Sequence, residues 1–276
     1  MALKDILVLI EDNDRSATRL ALACALARRH AAHLTGLFVV DVTVSAIAGA
    51  DGGGAALAQL VETMRDDALS AGARAEVSFN EMLRREGVVG EWRLVEGLAP
   101  QQAALHGRYA DLVVLGQQAP DDGGSDATLE AVLFTSGRPV LVVPYAGSFA
   151  TVGDRALIGW NAKREAARAV GDALPLLSGA ATVLIVNPLP GSDLDGDAPG
   201  ADIARHLARH GVNVTVERIV APEIGADDAL LNRAAETGAD LIVIGAYGHS
   251  RLREFVLGGV TRGLLRHMTV PVLMSH

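Results

Sequence analysis

The chain has 276 residues, a length that suits about two domains of ordinary size. Half of the residues are apolar but only 4% are aromatic, so a full core must be built mainly from Ala, Val, Leu and Ile. The net charge of −9 argues against a protein that holds nucleic acid through a general basic field. One cysteine excludes an intrachain disulfide, and no apolar run has the length of a membrane-spanning helix.

The first half of the sequence alternates short apolar runs with Ala-rich helical stretches. Asp12, Asn13 and Asp14 offer caps for the first helix. The apolar runs predict strands over residues 5–10, 33–41, 88–96, 111–116 and 139–144. Helical patterns lie between them, over residues 15–29, 55–71 and 100–109.

The second half shows the same alternation. Predicted strands cover residues 156–160, 182–187, 213–219, 240–245 and 270–274. Predicted helices cover residues 164–177, 201–210, 227–237 and 259–266. Strands that are apolar at nearly every position and separated by helices are typical of a parallel sheet covered on both faces. We therefore expect an α/β protein with two tandem doubly wound domains.

A comparison of the sequence with itself indicates an internal repeat. The run that begins Ala110-Asp111-Leu112 matches the run that begins Ala239-Asp240-Leu241, 129 residues later. Further matches follow in the same order in both halves, with offsets that drift because the loops differ in length. The period is far longer than that of a solenoid repeat. The sequence therefore predicts two homologous domains, residues 1–148 and residues 149–276.

A glycine-rich segment in the second half is the strongest functional signal. It begins with Gly245 at the carboxyl end of a predicted buried strand and ends with Gly258 and Gly259 at the start of a predicted helix. Ligands of open α/β sheets bind at strand carboxyl ends, and a helix N-terminus offers unpaired N–H groups to an anion. This arrangement suits a polyphosphate. The alternative is that the glycines only turn the chain and allow a helix to pack closely.

The spacing Gly245-x2-Gly248-x9-Gly258, followed by a helix and a terminal Val-Pro-Val-Leu strand, resembles the universal stress protein family. The run Gly-Arg-Pro-Val-Leu-Val-Val-Pro144 supports the same resemblance in the first half. The family implies, for each half, a five-stranded parallel sheet with helices on both faces. It also implies a role in stress response and, in one branch, ATP binding without rapid hydrolysis. Tandem members resemble the family's dimer fused into one chain, an intramolecular pseudo-dimer.

The resemblance places the nucleotide contacts at specific positions of the second half. Gly245 and Gly248 match the first glycines of the family's phosphate loop, and Gly258 matches the later one. ATP-binding members carry Ser or Thr where this chain has Gly259, so a hydroxyl that would bond a phosphate is missing. Thr261, two residues further on, offers a hydroxyl instead.

Two further positions concern the nucleoside. The family's acidic residue after the first strand falls on Asn161, whose amide both donates and accepts hydrogen bonds. The apolar residue that flanks the adenine falls on Val186. Arg262 is among the cations near the glycines that would neutralise phosphate charge, or that belong to a solvated helix face.

The first half departs further from the family pattern. Gly116 and the acidic Glu11 are present, but Ala119 replaces the second glycine. Asp126 and Ala127 stand where the later glycines would fall, and an aspartate repels phosphate. We therefore expect a degenerate site that binds no nucleotide in this half.

The hypothesis that follows is a cytoplasmic stress-response protein that binds ATP, with Mg²⁺, or a related adenine nucleotide in its second half as a sensor or accessory module. A nucleotide-free interaction protein of the same fold is the alternative, favoured by Gly259 and Asn161. A slow nucleotide hydrolase is the third candidate, but no nucleophile elbow or Walker lysine supports an enzyme. We expect no metal site, no nucleic acid and no membrane as partners. An unidentified protein partner is expected, and homodimerisation stays open.

Overall fold

A computed structural model describes residues 2–41, 54–118, 126–186, 194, 198, 200–220, 222–246 and 259–276. Its strands are β1 (Asp5–Ile10), β2 (His33–Val40), β3 (Gly90–Glu96), β4 (Leu112–Gly116), β5 (Val140–Val143), β6 (Arg155–Gly159), β7 (Ala180–Val186), β8 (Asn213–Ile219), β9 (Leu241–Gly245) and β10 (Val272–Ser275). Its helices are α1 (Arg15–His30), α2 (Gly54–Glu86), α3 (Ala99–Gly107), α4 (Ala127–Thr135), α5 (Arg164–Ala173), α6 (Ala201–Arg209), α7 (Ala226–Thr237) and α8 (Gly259–His267).

The strands form one sheet of ten strands, in the order β3-β2-β1-β4-β5-β10-β9-β6-β7-β8. Strands are parallel within each half, so the predicted α/β fold of two five-stranded doubly wound units is confirmed. The two units join through antiparallel pairing of β5 with β10, where Leu141 lies opposite Leu273. The sequence did not predict this continuity. Because the junction is antiparallel, the carboxyl edges of the two units face opposite ways.

The repeat found in the sequence is also a repeat of structure. Asp111 precedes β4, and its carboxylate accepts hydrogen bonds from the backbone N–H groups of Lys4 and Asp5. Asp240 precedes β9 and in the same way accepts the backbone N–H groups of Gly153 and Asp154. Each carboxylate ties the start of its unit's first strand to the strand beside it. The domain boundary predicted after residue 148 lies between β5 and β6 and stays a prediction.

The core lies on both faces of this sheet, under the helices. Strands β5 and β10 are buried at every position, as expected at the centre of a sheet covered on two sides. Leu141 and Leu273 belong to one apolar cluster, and Val140 and Val272 belong to the cluster on the other face. Both clusters contain residues from both halves, so the two units share their core at the junction.

Three helices differ from the sequence prediction, the smallest difference being α5, which ends at Ala173 and not at residue 177. Helix α2 continues to Glu86, well past the predicted end at Ala71, and α4 was not predicted at all. Gly72 does not end the helix, because it allows close packing: a Cβ at this position would collide with the side chain of Leu94. Despite its 33 residues, α2 is not apolar, and none of the helices among the described residues is long and apolar enough to cross a membrane.

Candidate functional site

Each unit has one place where the strand order reverses, and open α/β sheets bind ligands there. In the first unit this place lies between the carboxyl ends of β1 and β4, and in the second unit between those of β6 and β9. We name these places the first and the second crevice. They lie on opposite edges of the ten-stranded sheet, because the two units run antiparallel at their junction.

The second crevice holds three of the predicted nucleotide contacts at strand ends. Gly245 ends β9, Val186 ends β7, and Asn161 follows β6. The side-chain oxygen of Asn161 accepts the backbone N–H of Lys163 at 3.1 Å, which orders the turn into α5. Ala162, between them, has a φ of 56°, a left-handed conformation that is strained for a residue other than glycine and is often found at functional sites.

Gly245 is required by packing. The first turn of α5 lies directly against it, and a Cβ at this position would collide with the backbone of Glu165 and Ala166. Close packing of α5 on the end of β9 therefore explains this glycine without any ligand. The sequence left both interpretations open, and the packing interpretation accounts for this position.

A buried carboxylate lies at the same strand end. Glu165 is 7% exposed and accepts a hydrogen bond from the Arg164 guanidinium at 2.6 Å. Burial by itself raises the pKa of Glu165, but the bonds from Arg164 and from its own backbone N–H, together with His276, hold that pKa below its usual value. An ionised carboxylate here opposes a second anion nearby, unless cations of the site offset it.

Helix α8 begins at Gly259 on the carboxyl edge of the second unit, since each helix of a parallel unit starts at this edge. A Cβ at Gly259 would meet no atom of the described residues within 4 Å. Thr261, the proposed substitute hydroxyl, is 4% exposed in the first turn of α8. Gly248 and Gly258, the other predicted phosphate contacts, lie outside the described residues.

The first crevice has a cavity of about 360 Å³. Arg19 of α1 crosses it and is 2% exposed. Its Nη2 lies 2.9 Å from Glu11 and donates to the hydroxyl of Ser16, also at 2.9 Å. A Cβ at Gly116 would collide with Nη1 of the same guanidinium. An ion pair therefore occupies the floor of the first crevice.

The burial of Arg19 has a cost. Burial lowers the pKa of Arg19, the Glu11 carboxylate counteracts that shift, and the buried Nε has no hydrogen-bond partner. Ala169 stands at the equivalent position of α5 and is 1% exposed. Sequence reasoning missed Arg19, although aligning the two halves would have revealed a charged residue opposite a buried alanine.

Asp126, predicted to repel phosphate in the first half, is the N-cap residue of α4 and is half-buried. Burial raises the pKa of its carboxyl group, and Arg262 and Arg266 of α8 act against that rise. The aspartate therefore faces cations of the other half. Arg262, considered from the sequence as a phosphate contact, has this carboxylate as a neighbour.

Among the described residues, no group of three or more His, Cys, Asp and Glu side chains is placed to hold a metal ion. His206 and His210 lie one turn apart on α6 with ring centroids 4.8 Å apart. The expectation of no metal site rested partly on the absence of H-x-x-x-H spacing, and this exposed pair has that spacing, so that ground for the expectation was wrong.

Comparison with known proteins shows a family match in the second half of the chain. Residues 156–276 match the model of the universal stress protein family. The universal stress protein Slr1230 of Synechocystis is 24% identical over 173 residues, which make up 59% of this chain. The matched region spans only 57% of that relative's length.

Solved structures extend the similarity to the whole chain. A universal stress protein from Archaeoglobus fulgidus DSM 4304 has a TM-score of 0.73 and 16% identity, over 98% of this chain and 95% of its own. A protein of unknown function from Pseudomonas aeruginosa PAO1 has a TM-score of 0.59 and 16% identity, over 99% of this chain and 92% of its own. At such identities the likeness establishes the fold. Residues 156–276 therefore match the sequence pattern of the universal stress protein family, and the whole chain has the fold of solved structures of that family.

Proposed function

We propose that the second crevice binds an adenine nucleotide, ATP with Mg²⁺ in the first instance, and that the protein acts as a nucleotide-dependent sensor or accessory module. The observation that carries the proposal is the position of Gly245 and Asn161 at the point where the strand order of this unit reverses. Helix α8 adds an N-terminus at the same edge, with open space around Gly259.

The described residues divide the site into a nucleoside side and a phosphate side. Asn161 and Val186 supply a polar amide and an apolar surface at neighbouring strand ends, which suits a base or ribose. Gly259 and the backbone N–H groups of the first turn of α8 supply the phosphate side. Mg²⁺, bound with the nucleotide, would reduce the phosphate charge that the Glu165 carboxylate opposes.

We infer binding without efficient turnover. Glu165 is the buried carboxylate of this crevice, and it is already engaged by Arg164. A general base must be free to reach the proton it removes, and a paired carboxylate inside a helix turn is poorly placed for that. The role of a sensor therefore fits these residues better than that of a hydrolase.

The nucleotide-free alternative is supported by the same carboxylate. Glu165 repels phosphate, and packing alone accounts for Gly245. If the second crevice is empty in solution, the two units act as a scaffold, and their function lies in binding another protein.

The deciding experiment measures nucleotide in the freshly purified full chain by heat release and chromatography, followed by calorimetric titration of ATP with Mg²⁺ into stripped protein. Micromolar binding that Gly248→Asp abolishes supports the proposal. Ala119→Asp places the same charge at the matched position of the first half and should leave binding intact. Absence of bound nucleotide, and of any heat at millimolar ATP, would favour the interaction protein.

A gain of affinity is a sharper test. Gly259→Ser supplies the hydroxyl that the resemblance to the family implies at this position, and no atom of the described residues lies within 4 Å of the new Cβ. One hydrogen bond to a charged phosphate contributes about 1.5–3 kcal/mol, so ATP should bind about tenfold tighter or better. Gly259→Ala is the matched control, because it adds the Cβ without the hydroxyl. Equal affinities for the two variants would place the phosphate elsewhere.

A further inference from the structure

Gln117 joins the two units by a side-chain hydrogen bond. It follows β4 directly, at the first crevice, and is 7% exposed. Its side-chain Nε2 donates to the carbonyl oxygen of Leu265 at 2.6 Å, and its Oε1 accepts the backbone N–H of Tyr145 at 3.0 Å. Its own backbone N–H donates to Val143 at 2.8 Å. The side chain is therefore fixed at both ends.

The partner carbonyl belongs to the last turn of α8, whose first turn lies at the second crevice. The last four carbonyls of a helix have no partner within the helix, and the Gln117 amide satisfies one of them. With nine residues, α8 is about 13 Å long. Since the two crevices lie on opposite edges of the sheet, α8 starts at the second crevice and ends beside the first.

This link has no equivalent in the opposite direction. Ala246 stands in the second half where Gln117 stands in the first, and an alanine has no amide to reach α4. The matching end of α4 meets the second unit through a ring contact, Phe134 against His276, with centroids 4.9 Å apart. The Gln117 side chain therefore holds α8, the helix that follows the predicted phosphate loop.

We propose that Gln117 is a positioning residue for the nucleotide site, supplied by the half that carries the degenerate crevice. It holds the far end of α8, and so sets where the first turn of α8 presents its N–H groups to phosphate. This inference rests on the proposed function. By this inference, the first unit holds helix α8 of the second unit in position.

The same bond couples the crevices. A phosphate bound at the first turn of α8 moves this short helix as a unit. The movement changes the length of the hydrogen bond between Gln117 and the Leu265 carbonyl. Gln117 transmits the change to Tyr145, whose ring lies 5.7 Å below the Arg15 guanidinium in the first crevice. Coupling between two binding events is reciprocal, so a ligand of the first crevice that shifts Gln117 would change nucleotide affinity by the factor by which the nucleotide changes the affinity of that ligand.

The test uses two variants and one matched control in the full chain. Gln117→Met removes both side-chain bonds at similar volume. Gln117→Glu, measured at pH 8, keeps an acceptor for the Tyr145 N–H but loses the donor to Leu265. Gln118→Met makes the same change at the adjacent, exposed residue. The readouts are calorimetric ATP affinity and amide hydrogen exchange over residues 259–267 and 143–146, with and without ATP.

We expect both Gln117 variants to speed exchange in α8 and to weaken ATP binding about fivefold or more, while Gln118→Met matches the natural chain. ATP should also slow exchange over residues 143–146 in the natural chain and not in Gln117→Met. Unchanged ATP affinity in both Gln117 variants would overturn the positioning role alone. Absence of ATP binding by the natural chain would overturn the proposed function and the positioning role together. If Gln117→Met does not fold, Gln117→Glu decides.

Discussion

The two crevices are built on the same strands and helices, but their floors differ. In the first, Arg19 pairs with Glu11 and lies against Gly116. In the second, Ala169 stands in place of the arginine, and the backbone of α5 itself packs against Gly245. One unit fills the space below its strand ends with a charged side chain, and the other fills it with a helix turn.

The two units thus keep the same fold while they differ in the groups at their strand ends. The glycine at the end of the fourth strand stays in both units because something always packs on it. What changes is the group that packs there and the charge it brings. Conversely, the first unit gains Gln117, which contacts a helix of the second. The first unit therefore contributes a hydrogen bond to α8 of the second unit.

The largest expected effect comes from placing the arginine of the first crevice at the equivalent position of the second. Ala169→Arg places a guanidinium in the core position beneath the second crevice, where Asn161 offers no countercharge. Overpacking at this buried position should lower the free energy of unfolding by about 3 kcal/mol, measured by urea denaturation, even with the Glu165 carboxylate one turn earlier on α5. Ala167→Arg, on the exposed side of the same helix, should change stability by less than about 0.5 kcal/mol.

A second substitution tests whether the ion pair of the first crevice can form in the second. Asn161→Glu in the Ala169→Arg background supplies the carboxylate that Glu11 provides in the first half, and should recover about 1.5–3 kcal/mol. Asn161→Glu alone, at an exposed position, should be close to neutral. Full additivity of the two substitutions would show that the second crevice cannot form the ion pair of the first.

Substitution of the two equivalent glycines, Gly245 and Gly116, should lower the free energy of unfolding by smaller and unequal amounts. Gly245→Ala forces the backbone of α5 to move, and we expect a loss of about 2–3 kcal/mol in urea denaturation. Gly116→Ala meets only the end of the Arg19 side chain, which has the cavity of the first crevice to move into, so about 1 kcal/mol is expected. Equal losses would mean that Arg19 is held as rigidly as a backbone.

The sequence predicted the strands, their order within a repeat and the edge at which a ligand would bind, because apolar runs and strand ends are local features. It did not predict α2 beyond Gly72, because a glycine that serves close packing against Leu94 looks the same as one that ends a helix. It also missed α4, a nine-residue helix with a weak amphipathic pattern. The β5–β10 junction depends on which strand edges meet, and no local pattern records that.

The site was predictable only in part for the same reason. The glycine spacing pointed to Gly245, but the role of Gly245 depends on α5, which lies 80 residues earlier in the chain. Arg19 and Gln117 are polar residues of types usually found on surfaces, and only the tertiary structure shows them buried. Whether a polar residue is buried depends on the whole fold, so local sequence patterns do not predict it.

The smallest expected effect concerns acid. Burial, together with the nearby Arg29, lowers the pKa of His30 at the end of α1, and the buried Nε2 has no hydrogen-bond partner. The unfolded chain therefore takes up a proton at this residue at higher pH than the folded chain does. The stability contribution is complete above pH 6.5 and is lost as the pH falls from 6.5 through the lower folded pKa.

His30→Gln should therefore flatten the dependence of unfolding free energy on pH just below 6.5, because it removes the proton that the unfolded state binds preferentially. His210→Gln makes the same change at an exposed residue just after α6, in the second unit, and is the matched control. Urea denaturation at a series of pH values measures both. A slope that survives in His30→Gln would assign the acid response to another group, of which His106, also lowered in pKa by burial and by Arg93, is the next to replace. Since His30 and His106 both lie in the first unit, the acid response becomes one more property by which the two units differ.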